Sequence, residues 1–127
     1  MILDHKKINF EDDRGTITDI FTKSPKDHAT VIFTKKGAVR GNHYHKESAQ
    51  YAFIVTGKMM SYSQKPGEEV QNVLLEVNDL IGHEPGEAHA FVAEEDTIFL
   101  AFVEGLRGGD DFEKDTYRLE APLVSPS

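Results

Sequence analysis

The chain has 127 residues, of which 39% are apolar, enough for one domain with a buried core and too few for two domains of ordinary size. Its 14 basic and 22 acidic residues give a formal net charge of −8, which disfavours binding to nucleic acids or anionic membranes because the protein's field repels polyanions. The absence of cysteine excludes disulfides, thiolate metal ligands and cysteine nucleophiles.

The N-terminal sequence Met-Ile-Leu-Asp-His-Lys-Lys lacks the order of basic and then apolar residues that a signal peptide has. No apolar run in the sequence approaches the length of about 20 residues that is needed to span a bilayer. We therefore expect a soluble, cytoplasmic protein with no membrane partner.

Short β-type runs separated by turn residues follow one another along the chain, and helical periodicity is nearly absent. The predicted strands cover residues 8–10, 16–21, 29–34, 51–55, 59–63, 70–77, 80–83, 88–93 and 97–103. Turn-forming residues separate them, as in the segment Lys65-Pro66-Gly67-Glu68. Residues 105–110 are predicted to form a loop, and residues 112–119 a last strand or an irregular tail.

The segment 70–77 has two possible interpretations. Its apolar residues stand at the i, i+3, i+4 and i+7 positions that are typical of a helix, namely Val70, Val73, Leu74 and Val77. Because the segment is short, rich in valine and bounded by turn residues, we interpret it as a strand. The whole pattern predicts an all-β barrel or double-sheet jelly roll, a single domain over residues 1–127 with a loose tail at 120–127.

Three of the six histidines indicate a site. His43 and His45 are two residues apart, so their side chains point to the same face if they lie on a strand. His89 follows a Pro-Gly turn and begins another predicted strand. Imidazoles that project together into a barrel can hold a divalent cation with an oxygen donor as fourth ligand, and Gln50 is the candidate donor.

The spacing of these residues resembles the two motifs of the cupin family. The first motif, over residues 37–57, is matched by Gly37, His43, His45, Gln50 and Gly57. The segment Pro85-Gly86-Glu87-Ala88-His89 looks like the core of the second motif, which covers about residues 79–91. The resemblance implies a cupin-type double-stranded β-helix, a jelly-roll barrel whose cavity holds the three histidines and Gln50.

The cupin motif usually has a glutamate at the position of Gln50, and a neutral amide is a weaker ligand for a dication than a carboxylate. Two uses of the site therefore stay open. In the first, His43, His45, Gln50 and His89 hold a divalent metal, which could be zinc, nickel, manganese or iron. In the second, His43 or His45 acts as an acid–base catalyst without metal. One imidazole nitrogen cannot be a metal ligand and a base at once.

Two further segments resemble landmarks of cupins that act on nucleotide-linked keto-deoxysugars, namely Asp12-Asp13-Arg14-Gly15 and Val39-Arg40-Gly41-Asn42-His43-Tyr44-His45. The second segment is similar to three groups: the zinc-carrying cupin domain of capsular-polysaccharide sugar reductases, the dTDP-sugar 3,4-ketoisomerases, which require no metal, and the 3,5-epimerases, whose histidine is a base. All three groups remove a proton next to a ketone. The resemblance implies an isomerase or epimerase that acts on a nucleotide-linked 4-keto-6-deoxysugar in polysaccharide or deoxysugar biosynthesis.

A C–H bond beside a carbonyl is a weak acid, so this chemistry needs a base and a group that stabilises the enolate oxygen. His43 or His45 is the expected base. Arg14 and Arg40 are the expected ligands of the substrate's diphosphate, because a guanidinium fork matches phosphate oxygens.

Three more side chains are reserve candidates for the acid: Tyr51, Tyr62 and His83. Two other functions also remain open. A metal-dependent cupin oxygenase needs only three histidines and an open coordination position. A non-catalytic cupin that binds a sugar or another ligand is the second alternative.

The strand predicted at 51–55 is apolar on both faces, because Tyr51, Phe53 and Val55 alternate with Ala52 and Ile54. A barrel interior needs only one of these faces, so the other must cover a neighbouring element or a partner. We expect a homodimer, and cover by the N-terminal strands of the same chain is the alternative.

Overall fold

A computed structural model describes residues 1–105 and 115–125, and within these ranges the chain forms twelve strands. In chain order they are β1 Ile2–His5, β2 Phe10–Asp12, β3 Gly15–Ile17, β4 His28–Thr34, β5 Val39–Tyr44, β6 Ala49–Thr56, β7 Met59–Gln64, β8 Gln71–Leu75, β9 Asp79–His83, β10 Ala88–Ala93, β11 Thr97–Glu104 and β12 Tyr117–Arg118. Over the same residues, no helix is long and apolar enough to cross a membrane.

Two five-stranded sheets form the body of the fold. The first sheet has the order β1-β9-β6-β11-β4 and the second the order β12-β5-β10-β7-β8, while β2 and β3 form a separate hairpin. The strand pairs are antiparallel. Sheets that exchange strands along the chain in this way form a jelly roll, so the predicted all-β fold is confirmed.

The core lies between the inner faces of the two sheets. Its buried cluster consists of Ala52, Ile54, Met59, Leu75, Ile81, Phe91, Phe99 and Ala101. Because side chains on one face of a strand recur every second residue, the strands that supply this core also carry polar residues on the same inner face. Gln50 stands two residues before Ala52, and His83 two residues after Ile81. The barrel is therefore apolar at one end and polar at the other.

The strand predicted at 70–77 is confirmed as β8, which is paired to β7, so the helical alternative is wrong. Other strands differ from the predicted ones. The strand predicted at 16–21 ends at Ile17, because Phe21 leaves the hairpin and packs edge-on against Tyr51 and Phe102. β1 and β5 are not among the predicted strands; β1 has no clear alternation and is a strand through its pairing with β9, and β5 is a strand through its pairing with β10.

The C-terminal predictions fall partly outside the described residues. Of the loop predicted at 105–110 only Gly105 is described, and residues 112–114 of the last predicted element also lie outside. Where the sequence predicts a loose tail at 120–127, Asn42 holds the chain against β5. Its Oδ1 accepts hydrogen bonds from the backbone N–H groups of Leu123 and Val124, at 2.9 and 3.3 Å.

The outer face of the first sheet is apolar at its β4 edge. Val31 and Phe33 project outward from β4 and are 67% and 53% exposed. The register places them beside Leu100 and Ile98 of β11. Further along the same face Phe21 covers part of β11 and β6, so cover within the chain is present there and ends before β4.

Candidate functional site

A cavity of about 520 Å³ opens at the polar end of the barrel. Motif one, motif two and the C-terminal segment all contribute to its wall. The polar residues of this wall include Arg40, Asn42, His43, Gln50, His89 and Arg118. Apolar side chains of the inner faces, such as Ile32 and Phe91, form its floor toward the core. A mixed wall of this kind suits a ligand with both polar and apolar surfaces.

Three imidazoles meet at this cavity. The ring centres of His43 and His45 are 4.9 Å apart, those of His43 and His89 4.7 Å, and those of His45 and His89 5.4 Å. One nitrogen from each ring can be chosen so that all three nitrogens lie within 4.8 Å of one another. The structure thus brings together the three histidines that the sequence singled out.

Gly41 explains why the two motifs approach so closely. On β5 and β10, His43 and His89 are paired in register, with an irregularity directly after His89. A Cβ atom on Gly41 would lie 2.8 Å from the carbonyl oxygen of His89, and the φ of Gly41 is +94°. Only glycine combines this contact with this backbone conformation, so Gly41 sets the distance between the histidines of the two motifs.

His45 is almost completely buried and is held through both ring nitrogens. Its Nδ1–H donates to the backbone carbonyl oxygen of Asp115 at 3.0 Å, and its Nε2 lies 2.8 Å from Oε1 of Gln50. A carbonyl oxygen can only accept, so Nδ1 carries the proton and a neutral ring has a lone pair at Nε2. The lone pair at Nε2 and the Gln50 oxygen are both acceptors, so the contact is favourable in two cases. In the first, the amide turns its NH₂ group toward His45, and in the second, Nε2 and the amide oxygen bind the same cation.

His83 adds a fourth imidazole to the cluster. It is 3% exposed and stacks on His89, with ring centres 4.8 Å apart and planes only 13° from parallel. On the neighbouring strand β6, Gln50 is its register partner. His83 does not belong to the cavity wall; it lies against a histidine that does. Among the sequence predictions His83 is only a reserve candidate for the acid, although it stands on the same inner face as Ile81.

Burial controls the charge of this cluster. Burial, with smaller contributions from His45 and Arg118, lowers the pKa of His43 to about 4. Burial lowers the pKa of His83 to about 3, assisted by the N-terminal ammonium group and His45. Burial and the three neighbouring imidazoles hold the pKa of His89 well below its ordinary value. These three rings are therefore neutral near pH 7, and their lone pairs are available to a proton or a metal.

His89 has unmet hydrogen-bonding capacity. It is 1% exposed, and neither ring nitrogen makes a hydrogen bond of ordinary geometry within the described part of the chain. A neutral imidazole has one N–H and one lone pair to satisfy, and a poorly satisfied polar atom in a buried place is costly. Together with the short distances to His43 and His45, this fits a site that receives a cation or a polar ligand atom.

The arginines are distributed unequally. Arg40 lies at the cavity, where its Nε donates to Thr34 Oγ1 at 2.7 Å and its Nη2 to the Phe33 carbonyl at 2.9 Å. Arg118 of β12 also lies there, and its backbone is paired with that of His43. Arg118 belongs to no motif, so sequence reasoning assigned it no role at the site.

The remaining sequence candidates lie elsewhere. Arg14 is on the β2–β3 hairpin, where its side chain is 82% exposed and paired with Asp12, and it is not part of the cavity wall. Tyr51 packs against Phe21 on the outer face of the first sheet. Tyr62 likewise is not among the residues of the cavity wall. The reserve acids on β6 and β7 are thus placed away from the histidines.

The sheet topology and the histidine cluster define a cupin barrel. The chain matches the family model described as the polysaccharide biosynthesis C-terminal domain over residues 10–91, which is more than half of its length. It therefore belongs to that family. A search among curated proteins found no match.

Solved structures with the same fold include enzymes of sugar metabolism. A dTDP-4-dehydrorhamnose 3,5-epimerase from Sulfolobus tokodaii is 21% identical with a TM-score of 0.77, over 91% of this chain and 75% of that one. QdtA, a sugar 3,4-ketoisomerase from Thermoanaerobacterium thermosaccharolyticum in complex with TDP, is 19% identical with a TM-score of 0.78, over 94% and 88%. The capsular polysaccharide assembling protein CapF from Staphylococcus aureus is 22% identical with a TM-score of 0.65, over 91% and 34%. At these identities the likeness establishes the fold.

The buried histidines make stability depend on pH. The folded chain keeps His43, His83 and His89 neutral at pH values at which the unfolded chain protonates histidine. Acid therefore favours the unfolded chain. The free energy of unfolding should fall as the pH drops below about 6.5, by at most about 1.4 kcal/mol per pH unit for each histidine. For His43 the loss ends near its folded pKa of about 4.

Urea unfolding with a chelator present, between about pH 7 and pH 5, measures this slope. His83→Leu removes one buried titrating group and should make the slope shallower. Phe91→Leu, at a buried ring that touches His83, is the matched control: it should lower stability at every pH and leave the slope unchanged. Equal slopes in wild type and His83→Leu would contradict the assignment.

Proposed function

We propose that this chain is an isomerase or epimerase that removes a proton next to the ketone of a nucleotide-linked 4-keto-6-deoxysugar. The observation that carries the proposal is a cluster of three imidazoles, those of His43, His45 and His89, at a cavity whose wall also holds Arg40 and Arg118. The likeness to a 3,5-epimerase and to a 3,4-ketoisomerase solved with TDP supports this substrate class. The polysaccharide biosynthesis family supports the same metabolic role.

His43 is the better base of the two candidates that the sequence left open. It lies in the cavity wall, whereas His45 is 3% exposed and has Asp115 and Gln50 at its two ring nitrogens. In the proposed step a His43 nitrogen takes the proton from the carbon beside the ketone. The electron pair of that C–H bond moves to the ketone oxygen and forms an enolate. Return of a proton to the same carbon from the other face gives an epimer. If the enolate oxygen is protonated to give an enediol, return of a proton to the former ketone carbon, with loss of the proton from the neighbouring hydroxyl, gives a ketone isomer.

A base with a pKa of about 4 is weak for this step. A bound anionic substrate would raise the pKa of His43. Arg118 is one of the groups that lower the pKa of His43. A diphosphate bound to Arg118 and Arg40 would offset that charge and raise the pKa of His43 in part, while burial, the largest cause of the low pKa, remains. The proposed base thus becomes stronger when an anionic substrate is bound. A contact from Arg14 to the diphosphate stays a prediction from the sequence.

We also propose that the same site can hold a divalent cation, with zinc, nickel, manganese and iron as the candidates. His43, His45 and His89 would be its ligands, joined by Gln50, because their donor atoms already face one another. A bound cation would stabilise the enolate oxygen as a Lewis acid. A His43 nitrogen that binds metal cannot also take the substrate's proton, so this use and the metal-free use are separate hypotheses.

Deuterium exchange tests the proposed reaction. A dTDP-4-keto-6-deoxysugar incubated with the protein in heavy water should acquire deuterium at the carbon next to the ketone. His43→Asn should reduce the exchange rate at saturating substrate by roughly a hundredfold or more. Arg40→Ala should mainly raise KM, because a diphosphate contact acts in the ground state and the transition state alike.

Two further variants complete the exchange experiment. Lys58→Ala removes an exposed cation outside the cavity wall and should leave both constants unchanged. Arg14→Ala tests its predicted contact separately, which a raised KM would support. No exchange with dTDP-, UDP- or GDP-linked keto sugars, by protein shown to be folded and metal-replete, would refute the proposed function. Oxygen consumption with bound iron would then favour the oxygenase, and ligand binding without turnover the binding protein.

Metal binding has its own test in thermal stability. A cation that binds only the folded state adds about 2.7 kcal/mol at a hundredfold excess over its Kd, so chelation should lower the melting temperature by several degrees. His43→Ala should abolish this response, and Gln50→Glu should strengthen it because a carboxylate adds a charged ligand. His5→Gln, at an exposed histidine outside the cluster, is the control. Equal melting temperatures with and without each of the four metals would assign the site to metal-free acid–base chemistry.

We propose that the chain forms a homodimer through the outer face of the first sheet at β4. Val31 and Phe33 stand there on an edge strand, 67% and 53% exposed, next to the outward side chains of β11. Exposed apolar side chains on an edge strand favour association with another chain, because association removes them from water. A cytoplasmic location stays a prediction from the sequence.

Light scattering at micromolar concentration should give the mass of a dimer for the wild type. Val31→Glu should shift it to the monomer without unfolding the chain, because the side chain is exposed within one copy. Val70→Glu, at an exposed valine outside β4, should remain dimeric. A wild type of monomer mass would reject the proposed homodimer.

A further inference from the structure

Asp115 lies outside both histidine motifs, yet it is buried at the site. It is 3% exposed and separated from His45 by 70 positions in the chain. Its carboxylate accepts three backbone hydrogen bonds, each of 3.1 Å: Oδ1 from the N–H of Lys46, and Oδ2 from those of Glu47 and Ser48. A carboxylate this deeply buried is stable only when such donors replace water.

The three donors belong to the loop that directly follows His45. This loop joins the strand of His43 to β6, which begins with Ala49 and Gln50. By collecting consecutive N–H groups, the Asp115 carboxylate holds the loop in one conformation. The positions of His45 and Gln50 on either side of the loop therefore depend on a residue of the C-terminal segment.

The backbone of Asp115 acts on His45 directly. Its carbonyl oxygen accepts the hydrogen bond from His45 Nδ1–H at 3.0 Å, which leaves the lone pair of a neutral ring at Nε2. Nε2 is the atom that faces Gln50. One residue thus anchors the loop through its side chain and selects the tautomer of the histidine through its main chain.

We propose that Asp115 is a positioning residue of the site: its carboxylate pins the 46–48 loop so that its carbonyl holds His45 with Nε2 turned toward Gln50 and the other two histidines. The use of that lone pair in catalysis or metal binding rests on the proposed function. The orientation of the His45 ring rests on the hydrogen bonds alone. Arg118 enters the cavity three residues later, so the same anchor places the C-terminal part of the cavity wall.

The test measures the tautomer of His45 and needs neither substrate nor metal. Long-range ¹H–¹⁵N correlation spectra of the chelator-treated protein should show the His45 proton on Nδ1 in the wild type. In Asp115→Ala the loop loses its anchor, and the proton should redistribute between Nδ1 and Nε2. If Asp115→Ala does not fold, Asp115→Asn serves instead, because it keeps the volume and removes the charge that holds three donors.

Asp79→Asn is the matched control. Asp79 is also a largely buried carboxylate that braces a turn, accepting the N–H of Glu76 at 2.8 Å, but it stands outside the histidine cluster. The Asp79→Asn variant should leave the His45 spectrum unchanged. An unchanged tautomer in the Asp115 variant, or a shift of equal size in Asp79→Asn, would overturn the positioning role.

The exchange assay then connects the orientation to the chemistry. Loss of a residue that orients a site histidine should reduce the exchange rate at saturating substrate by roughly 10- to 100-fold, with little change in KM. A displaced tautomer combined with unaltered exchange would overturn a catalytic consequence of the positioning. Absence of exchange in the wild type refutes the proposed function and leaves the tautomer result standing, so the two failures are distinguishable.

Discussion

Burial of several imidazoles in one place is the constraint on which the rest of this site depends. His43, His83 and His89 lie close together and are partly or wholly removed from water, so desolvation and neighbouring positive charge oppose the protonation of each. Near pH 7 these three rings are therefore neutral, each with a lone pair to offer. This property, more than any single distance, makes the cavity able to accept a proton or a cation.

Burying several imidazoles together costs desolvation free energy, and the rest of the fold holds the rings in place despite this cost. The apolar core sits on the same inner faces as the histidines and carries them on rigid strands. Gly41 lets β5 and β10 approach, and the C-terminal segment closes the third side through Asp115 and Arg118. A jelly roll provides this arrangement because strands distant in sequence become neighbours in one barrel.

Much of the site was accessible to sequence reasoning because its chemistry follows short spacings. His43, His45 and His89 sit in motifs whose residue types and turns are recognisable, and the histidines do converge. Arg118 and Asp115 could not be recognised in this way. Arg118 is placed by pairing with β5, and Asp115 by hydrogen bonds with the loop after β5. No local sequence pattern predicts such contacts. Phe21 shows the same limit. The local alternation predicted a strand through this residue, but the strand ends at Ile17 and Phe21 packs against Tyr51 and Phe102 instead.

The sequence alone determined the fold class, the two motifs and the identity of the three histidines, because turn residues, alternation and motif spacing are local and survive without contacts. Tertiary structure alone decided that the rings of His43 and His89 lie in the cavity wall, that His83 stacks behind His89 and which tautomer His45 adopts. It also separated Arg14 from Arg40, although both stand in motifs of similar promise. Charge, tautomer and accessibility depend on burial and on partners tens of residues away, and these arise only when the sheets close around the cavity.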